Sequence, residues 1–174
     1  MASVMGNPTQ TAYGQRSDRQ KIESQWRKLS GHMTPPRRDW AAAVVRAATA
    51  AEIAANLVVL AEYAKRNQGI SAKVIDASLR SANGLDGKMQ RLIRPLLIDR
   101  PNDLTKVEGL YSAMRAAIKK RNAIVHSGEF CDEAPARLHI AVCKDFVEGL
   151  VTMYHADFAL PDPAVAVSNR ESPA

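Results

Sequence analysis

The sequence predicts an all-α protein, and three observations support that class. Apolar residues recur in alternating steps of three and four over several long segments, which is the spacing of one helix face. No segment alternates as a half-buried strand does, and Pro- or Gly-containing breaks separate the helical segments. With 174 residues, 46% hydrophobic and 24% charged, the chain fits one globular domain. We expect a bundle of four to five helices with a short N-terminal helix.

The N-terminal part of the chain is divided into two segments. Residues 1–16 are polar with almost no apolar side chains, and we expect a disordered tail. Residues 17–38 are predicted to form a short basic helix, ended by Gly31, and a Pro-rich linker. One face of this helix carries Ile22, Trp26 and Leu29. The small helix is therefore expected to dock on the domain that follows it.

A helical domain is predicted over residues 39–158, and it begins with a long helix from an Asp39 N-cap to about Arg66. Steps of three and four from Val45 place two polar residues, Glu52 and Asn56, on a stripe that is otherwise mostly apolar. A carboxylate and an amide in such positions call for a polar partner on another helix.

Shorter elements are predicted in the middle of the domain. A helix over 71–81 follows Asn67-Gln68-Gly69 and should turn its apolar residues inward: Val74, Ile75 and Leu79. Residues 83–87 are rich in Gly, Asn and Asp and are expected to form a loop. A helix over 88–98 follows, which Pro95 should kink or shorten.

Two further helices complete the domain. One runs from about Leu104 to Ser127, after Pro101-Asn102-Asp103, and the last runs from near Asp132 to about Phe158. Residues 159–174 are expected to form a disordered C-terminal tail. The first of these helices carries apolar residues in steps of three and four: Leu104, Val107, Tyr111, Met114 and Ile118. Continuing the steps reaches Arg121 and then Val125, so the guanidinium falls in the buried register and needs compensation, for which Glu52 and Asn56 are the candidates.

Composition narrows the classes of function. Cys131 and Cys143 lack metal-site spacing, and we find no phosphate loop, so neither a metal nor a cofactor is expected. The start lacks the layout of a signal peptide and no membrane segment is expected, which favours the cytoplasm. The net charge of +6 permits contact with nucleic acid, and most of the excess lies in residues 1–39. That basic segment could contact phosphates or simply solubilise the chain.

The six residues Arg121-Asn122-Ala123-Ile124-Val125-His126 resemble the Arg-x4-His motif of the HEPN superfamily (higher eukaryotes and prokaryotes nucleotide-binding domains). These all-helical domains include metal-independent RNases, and the resemblance covers residues 39–158. It implies a homodimer in which the two motifs line one cleft. On an ideal helix Arg121 and His126 lie about 140° apart, whereas Asn122 and His126 share a face. Convergence needs either a loosened helix end near Ser127-Gly128 or a two-fold axis.

The resemblance implies an endoribonuclease that leaves 2′,3′-cyclic phosphate ends without a metal. His126 would act as general base or acid, and Arg121 would stabilise charge on the phosphate. Asn122 would bond the phosphate or orient the imidazole, while Glu52 and Asn56 would hold Arg121. Such nucleases commonly act as toxins or in phage defence, in some cases with a neutralising antitoxin.

The alternative is a non-catalytic, dimeric RNA-binding or protein-interaction module, because many domains with this motif do not cut RNA. In that case Arg121, Glu52 and His126 would form a buried polar network that fixes helix register. Both interpretations include a homodimer through the motif helix. A second apolar stripe on that helix supports the dimer: Leu110, Ala117 and Ile124.

Overall fold

Six helices make up the structure, a computed structural model that describes residues 13–66 and 69–163. A short 3₁₀ turn, Tyr13–Gln15, precedes them. The helices are α1 (Asp18–Met33), α2 (Trp40–Arg66), α3 (Ala72–Ser81), α4 (Gly84–Lys88, continuing through Met89–Ile93 and Arg94–Leu96), α5 (Pro101–Ser127) and α6 (Glu133–Val151). Since the described residues contain no strand, the all-α prediction is confirmed, whereas the predicted count of four to five helices is not.

The centre of the bundle is α2, which packs against α1, α5 and α6. Buried residues occupy most of the circumference of this helix, and one partly exposed stripe runs along it: Val45, Thr49, Glu52, Asn56, Leu60 and Tyr63. By length and composition α2 could also span a membrane, and 61% of its most apolar stretch is buried inside the fold. Its Asp39 cap is confirmed, because the Ala42 N–H donates to Asp39 Oδ1 at 2.9 Å.

The N-terminal helix α1 shares the core with the rest of the bundle. Its predicted apolar face is fully buried, and Trp26 Nε1 donates to the carbonyl of Pro161 at 2.8 Å. The prediction that Gly31 ends this helix is wrong, because α1 continues to Met33. Gly31 has no positive φ, and its carbonyl accepts from Thr34 Oγ1 at 3.0 Å, which satisfies the helix end two residues later.

The middle of the domain departs most from the prediction. Helix α3 contains no buried residue, and Val74 is exposed although it was expected to point inward. The predicted loop over 83–87 is instead the first turn of α4. The two glycines have different roles. A Cβ on Gly87 would lie 2.9 Å from the Ala82 carbonyl carbon, so Gly87 permits close packing, whereas Gly84 has a φ of +65° and open space around it. Leu85 and Met89 anchor the helix in the core.

Pro95 shapes α4 as expected, through a change of helix type. The segment Met89–Ile93 is π-helical directly before the proline, and the helix ends at Leu96. Because Pro95 has no N–H to bond the carbonyl four residues earlier, the register of the preceding turn is widened. The next helix begins at Pro101, three residues before the predicted start, with the proline at a position where no N–H is needed.

The last helix ends earlier than predicted, at Val151 instead of about Phe158. The chain nevertheless stays packed, because Phe158 and Leu160 belong to the core although they lie outside any helix. Part of the segment assigned to a C-terminal tail is therefore attached to α1 through Pro161. The remainder of both predicted tails, residues 1–12 and 164–174, and the pair Asn67 and Gln68 lie outside the described residues.

Candidate functional site

A cleft forms where the start of α4 crosses α2 and α5. The two long helices are antiparallel, with Glu62 of α2 beside the start of α5 and Glu52 beside its end. The cleft has a volume of about 120 Å³. Its lining combines polar and apolar residues and consists of Ala48, Glu52, Asn83, Gly84, Leu85, Asp86, Met114, Ile118, Arg121 and Asn122.

Arg121 lies in this cleft between a carboxylate and an amide. Its Nη2 atom is 3.8 Å from Glu52 Oε1, an ion pair without a hydrogen bond. Its Nη1 atom donates to Asn122 Oδ1 at 3.0 Å, and its buried Nε has no hydrogen-bond partner among the described residues. The sequence correctly pairs Arg121 with Glu52. The guanidinium is held by the protein on one side and retains unused donor capacity.

The expectation that Arg121 is buried is wrong. Its side chain is 27% exposed and that of Glu52 is 29% exposed, so water reaches both charges. The buried residues of α5 are Val107, Tyr111, Met114 and Ala117. The apolar stripe therefore leaves the core before Arg121, and Val125, the next residue on it, is 48% exposed.

His126 does not reach the cleft. Helix α5 keeps α-helical geometry through Ser127, and Gly128 caps it with a φ of +64°. The Gly128 N–H donates to the Ile124 carbonyl at 3.1 Å and the Glu129 N–H to the Ala123 carbonyl at 3.3 Å. This capping motif holds the end of the helix closed, so the helix does not loosen to let the two motif residues converge. Arg121 and His126 remain about 140° apart, and His126 is exposed.

Asn56, the second predicted support for Arg121, lies one turn further along α2 and does not line the cleft. Its partly buried side chain has an Oδ1 atom without a hydrogen-bond partner among the described residues. The amide beside the guanidinium is that of Asn122 instead. Of the five predicted site residues, the cleft brings together Arg121, Asn122 and Glu52.

Asp86 is a cleft residue that the sequence does not reveal, since its segment resembles a loop. Tyr111 OH donates to Asp86 Oδ1 at 2.6 Å, and burial together with this hydrogen bond raises the pKa of Tyr111. A second, more open groove of about 440 Å³ continues from Asp86 along α5. It is lined by Asp86, Arg115, Ala116, Ile118, Lys119 and Asn122.

A buried polar network lies elsewhere in the described residues, near the C-terminal end of α2. The Glu62 side chain is only 4% exposed and receives Arg100 Nη1 at 2.5 Å and Tyr154 OH at 2.6 Å. Burial, reinforced by the hydrogen bond to Glu62, strongly raises the pKa of Tyr154. This cluster joins α2, the loop before α5 and the segment after α6, which is the structural role that the sequence assigned to Arg121 and Glu52.

The second apolar stripe of α5 is used within the chain. Ala117 is fully buried, and Leu110 and Ile124 pack against the core. Leu110 reaches so close to α6 that a Cβ on Gly149 would lie 2.4 Å from its Cδ1. The stripe therefore does not support a dimer interface. The apolar residues left exposed at this end of the bundle are others, among them Val125 and Phe130, the latter 89% exposed.

Comparison with protein-family models, with curated proteins and with solved structures found no match for this chain.

Proposed function

We propose that this protein is a metal-independent endoribonuclease of HEPN type whose active site forms between two copies of the chain. The observation that carries the proposal is the state of Arg121, which lies in a cleft, pairs with Glu52 at 3.8 Å and is still open to solvent. A planar guanidinium in that state is suited to bind a phosphate. The buried cluster around Glu62 already joins several elements of the fold, so a pair as exposed as Arg121 and Glu52 is not needed for that role.

The reaction is a transesterification within the RNA chain. The 2′-hydroxyl loses its proton to a general base, and its oxygen attacks the adjacent phosphorus. The bond from phosphorus to the 5′-oxygen breaks, the leaving oxygen takes a proton from a general acid, and a 2′,3′-cyclic phosphate remains. Arg121 stabilises the charge on the phosphate oxygens, and imidazole is the side chain suited to both proton transfers near neutral pH.

A second copy of the chain supplies the imidazole that the Arg121 cleft of the first copy lacks. Arg121 and His126 point to different sides of α5, so His126 of a second copy must approach the Arg121 cleft. The exposed apolar side chains of Val125, Phe130 and Leu138 lie at the end of α5, in the following loop and near the start of α6. An interface that covers them would bury apolar surface beside the motif.

The second candidate is a non-catalytic dimeric module that binds RNA or another protein. One observation favours it, because His126 has no hydrogen-bond partner in the part of the chain that the structure describes. A catalytic imidazole is usually oriented by a second group. The proposal requires that the second copy or the RNA provides that group.

Cleavage of single-stranded RNA in EDTA tests the proposal. The purified protein should release fragments with 2′,3′-cyclic phosphate ends, and His126→Ala should abolish cleavage while the circular dichroism spectrum stays unchanged. The matched control is His155→Ala, which removes another exposed imidazole outside the motif. Cleavage that survives His126→Ala, or a wild-type protein that binds RNA without cutting it, would favour a different site or the binding module.

The setting we propose is a toxin or phage-defence system, with RNA as the substrate and an antitoxin or defence protein as the partner. Growth arrest on expression of the wild type, absent for His126→Ala, would support that setting. The molecular proposal does not depend on it, since cleavage is measured on the purified protein.

A further inference from the structure

A polar stripe runs along the solvent side of α5. Arg115, Lys119, Asn122 and His126 are spaced by four, three and four residues, and all four are exposed. This spacing keeps them on one face of the helix. From Arg115 to Asn122 the helix rises about 10 Å. The stripe thus ends at the two motif residues Asn122 and His126 and begins well away from them.

The cations of this stripe form no ion pair with any described residue, in contrast to many others, although the charge of Arg115 acts on the nearby Tyr111 hydroxyl. Arg115 and Lys119 form no ion pair and no side-chain hydrogen bond in the described part of the chain. In the basic N-terminal helix, by comparison, Arg19 pairs with Glu23 and Asp157 and Lys21 pairs with Asp18. Unpaired side chains keep their charge available for an anion, and neutralising a phosphate releases its condensed counterions.

The open groove of about 440 Å³ lies along this stripe, and the smaller cleft with Arg121 adjoins it. The two differ in chemistry. The groove presents two cations, Arg115 and Lys119, whereas the cleft presents the carboxylate of Glu52, the amide of Asn83 and the guanidinium of Arg121. Asp86, whose Oδ1 accepts from Tyr111, and Asn122 line both. Carboxylates repel phosphates, but with amides they match the donors and acceptors on a base edge. A base can reach the cleft only if it is unstacked, as in a single strand.

We propose that the groove along Arg115 and Lys119 is a track for the backbone of single-stranded RNA, which leads the strand to Asn122 and Arg121. The step of four residues between the two cations, about 6 Å of helix rise, is comparable to the spacing of phosphates in an extended strand. The proposal deepens the proposed function and rests on it for the place of cleavage. Binding along the track itself does not require cleavage.

The test uses a probe that cannot be cut, a short fluorescent oligouridine with 2′-O-methyl groups. Its Kd is measured over a series of salt concentrations for the wild type and for Arg115→Gln/Lys119→Gln. Two lost phosphate contacts should weaken binding and reduce the slope of log Kd against log salt by about 1.4, since each contact on a single strand contributes about 0.7. The slope for a duplex of the same length should not change in this way.

A matched control removes the same charge elsewhere. Lys73→Gln/Lys106→Gln replaces two exposed lysines that form no ion pair with a described residue, one on α3 and one on a different face of α5. This control should retain the wild-type slope. An unchanged slope for the track variant, an equal loss in the control, or tighter binding of the duplex would each overturn the track.

The result of the salt-dependence measurement can be distinguished from the result of the cleavage assay. If the wild type cuts RNA and the track variant keeps its slope, the track fails and the nuclease stands. If the slope falls as expected but the wild type never cuts RNA, the track stands and the nuclease fails. Where both hold, the track variant should raise KM several-fold and leave kcat nearly unchanged, because Arg115 and Lys119 do not contact the reacting atoms.

Discussion

Two glutamates of α2 show how the surroundings of a residue decide its role. Glu52 and Glu62 both face a cation on α5 or the loop before it, at 3.8 and 2.5 Å respectively. The Glu62 side chain is 4% exposed and bonded to two partners, whereas that of Glu52 is 29% exposed and touches its arginine only loosely. Glu62 therefore stabilises the fold, whereas Glu52 leaves Arg121 able to bind a ligand.

Glu62→Ala should destabilise the protein by about 3 kcal/mol, because it removes a buried carboxylate that accepts a hydrogen bond from the Tyr154 hydroxyl and pairs with the partly exposed Arg100. In a chain of this size that corresponds to a fall in Tm of roughly 6–12 °C. Thermal unfolding followed by circular dichroism measures the difference.

Glu52→Ala and Arg121→Ala are the matched controls and should each change stability by less than about 1 kcal/mol, as expected for a partly exposed ion pair. A large loss of Tm for Arg121→Ala would mean that the pair is structural and would remove the main support for a phosphate site. If Glu62→Ala melts like the wild type, the cluster around Glu62 does not stabilise the fold as we infer.

Helix α5 ends at a well-defined point, one residue after the motif residue His126. Gly128 adopts a φ of +64° and starts the capping bonds that close the helix after His126. Lys120 strengthens this end, because its Nζ donates to the Phe130 carbonyl at 2.7 Å and pairs with Glu129. The direction in which His126 points is therefore set by a rigid helix end.

Gly128→Ala should destabilise the protein by about 1 kcal/mol, because an L side chain is strained in the left-handed conformation. Gly128→Asn should cost less, since asparagine tolerates that conformation. Urea unfolding of the two variants gives the comparison. Equal stability of the alanine variant and the wild type would mean that the capping bonds are not maintained in solution.

For the whole molecule, the sequence predicts the long helices well and the site only in part. The two longest helices, α2 and α5, are found within a few residues because many apolar positions repeat in them. The start of α4 is missed because Gly84 and Gly87 are typical of a loop, while here Gly84 adopts a positive φ and the small size of Gly87 permits close packing on Ala82. The Glu62 cluster is missed because Arg100 and Tyr154 lie outside helices, where no spacing connects them.

The pairing of Arg121 with Glu52 follows from helix periodicity, and so does the divergence of Arg121 and His126 on one helix. Periodicity alone does not decide whether Arg121 is buried, because it does not show where the neighbouring helices stop packing against the apolar stripe. The exposure of Val125 shows that this cover is incomplete before the end of α5. A complete site, if His126 takes part, therefore has to be assembled across two chains.

Mixing two inactive variants tests that assembly directly. Arg121→Ala retains His126 and His126→Ala retains Arg121, so a mixed dimer holds one intact Arg–His pair across its interface. If the site is shared, exchange of subunits should restore cleavage to roughly a quarter of the wild-type level, because half of the dimers are mixed and each has one of two pairs. Phe130→Ser/Leu138→Ser should abolish both the dimer in light scattering and this recovery. A mixture that stays inactive although mixed dimers form would show that both residues must act from the same chain, which the rigid end of α5 does not permit without a rearrangement.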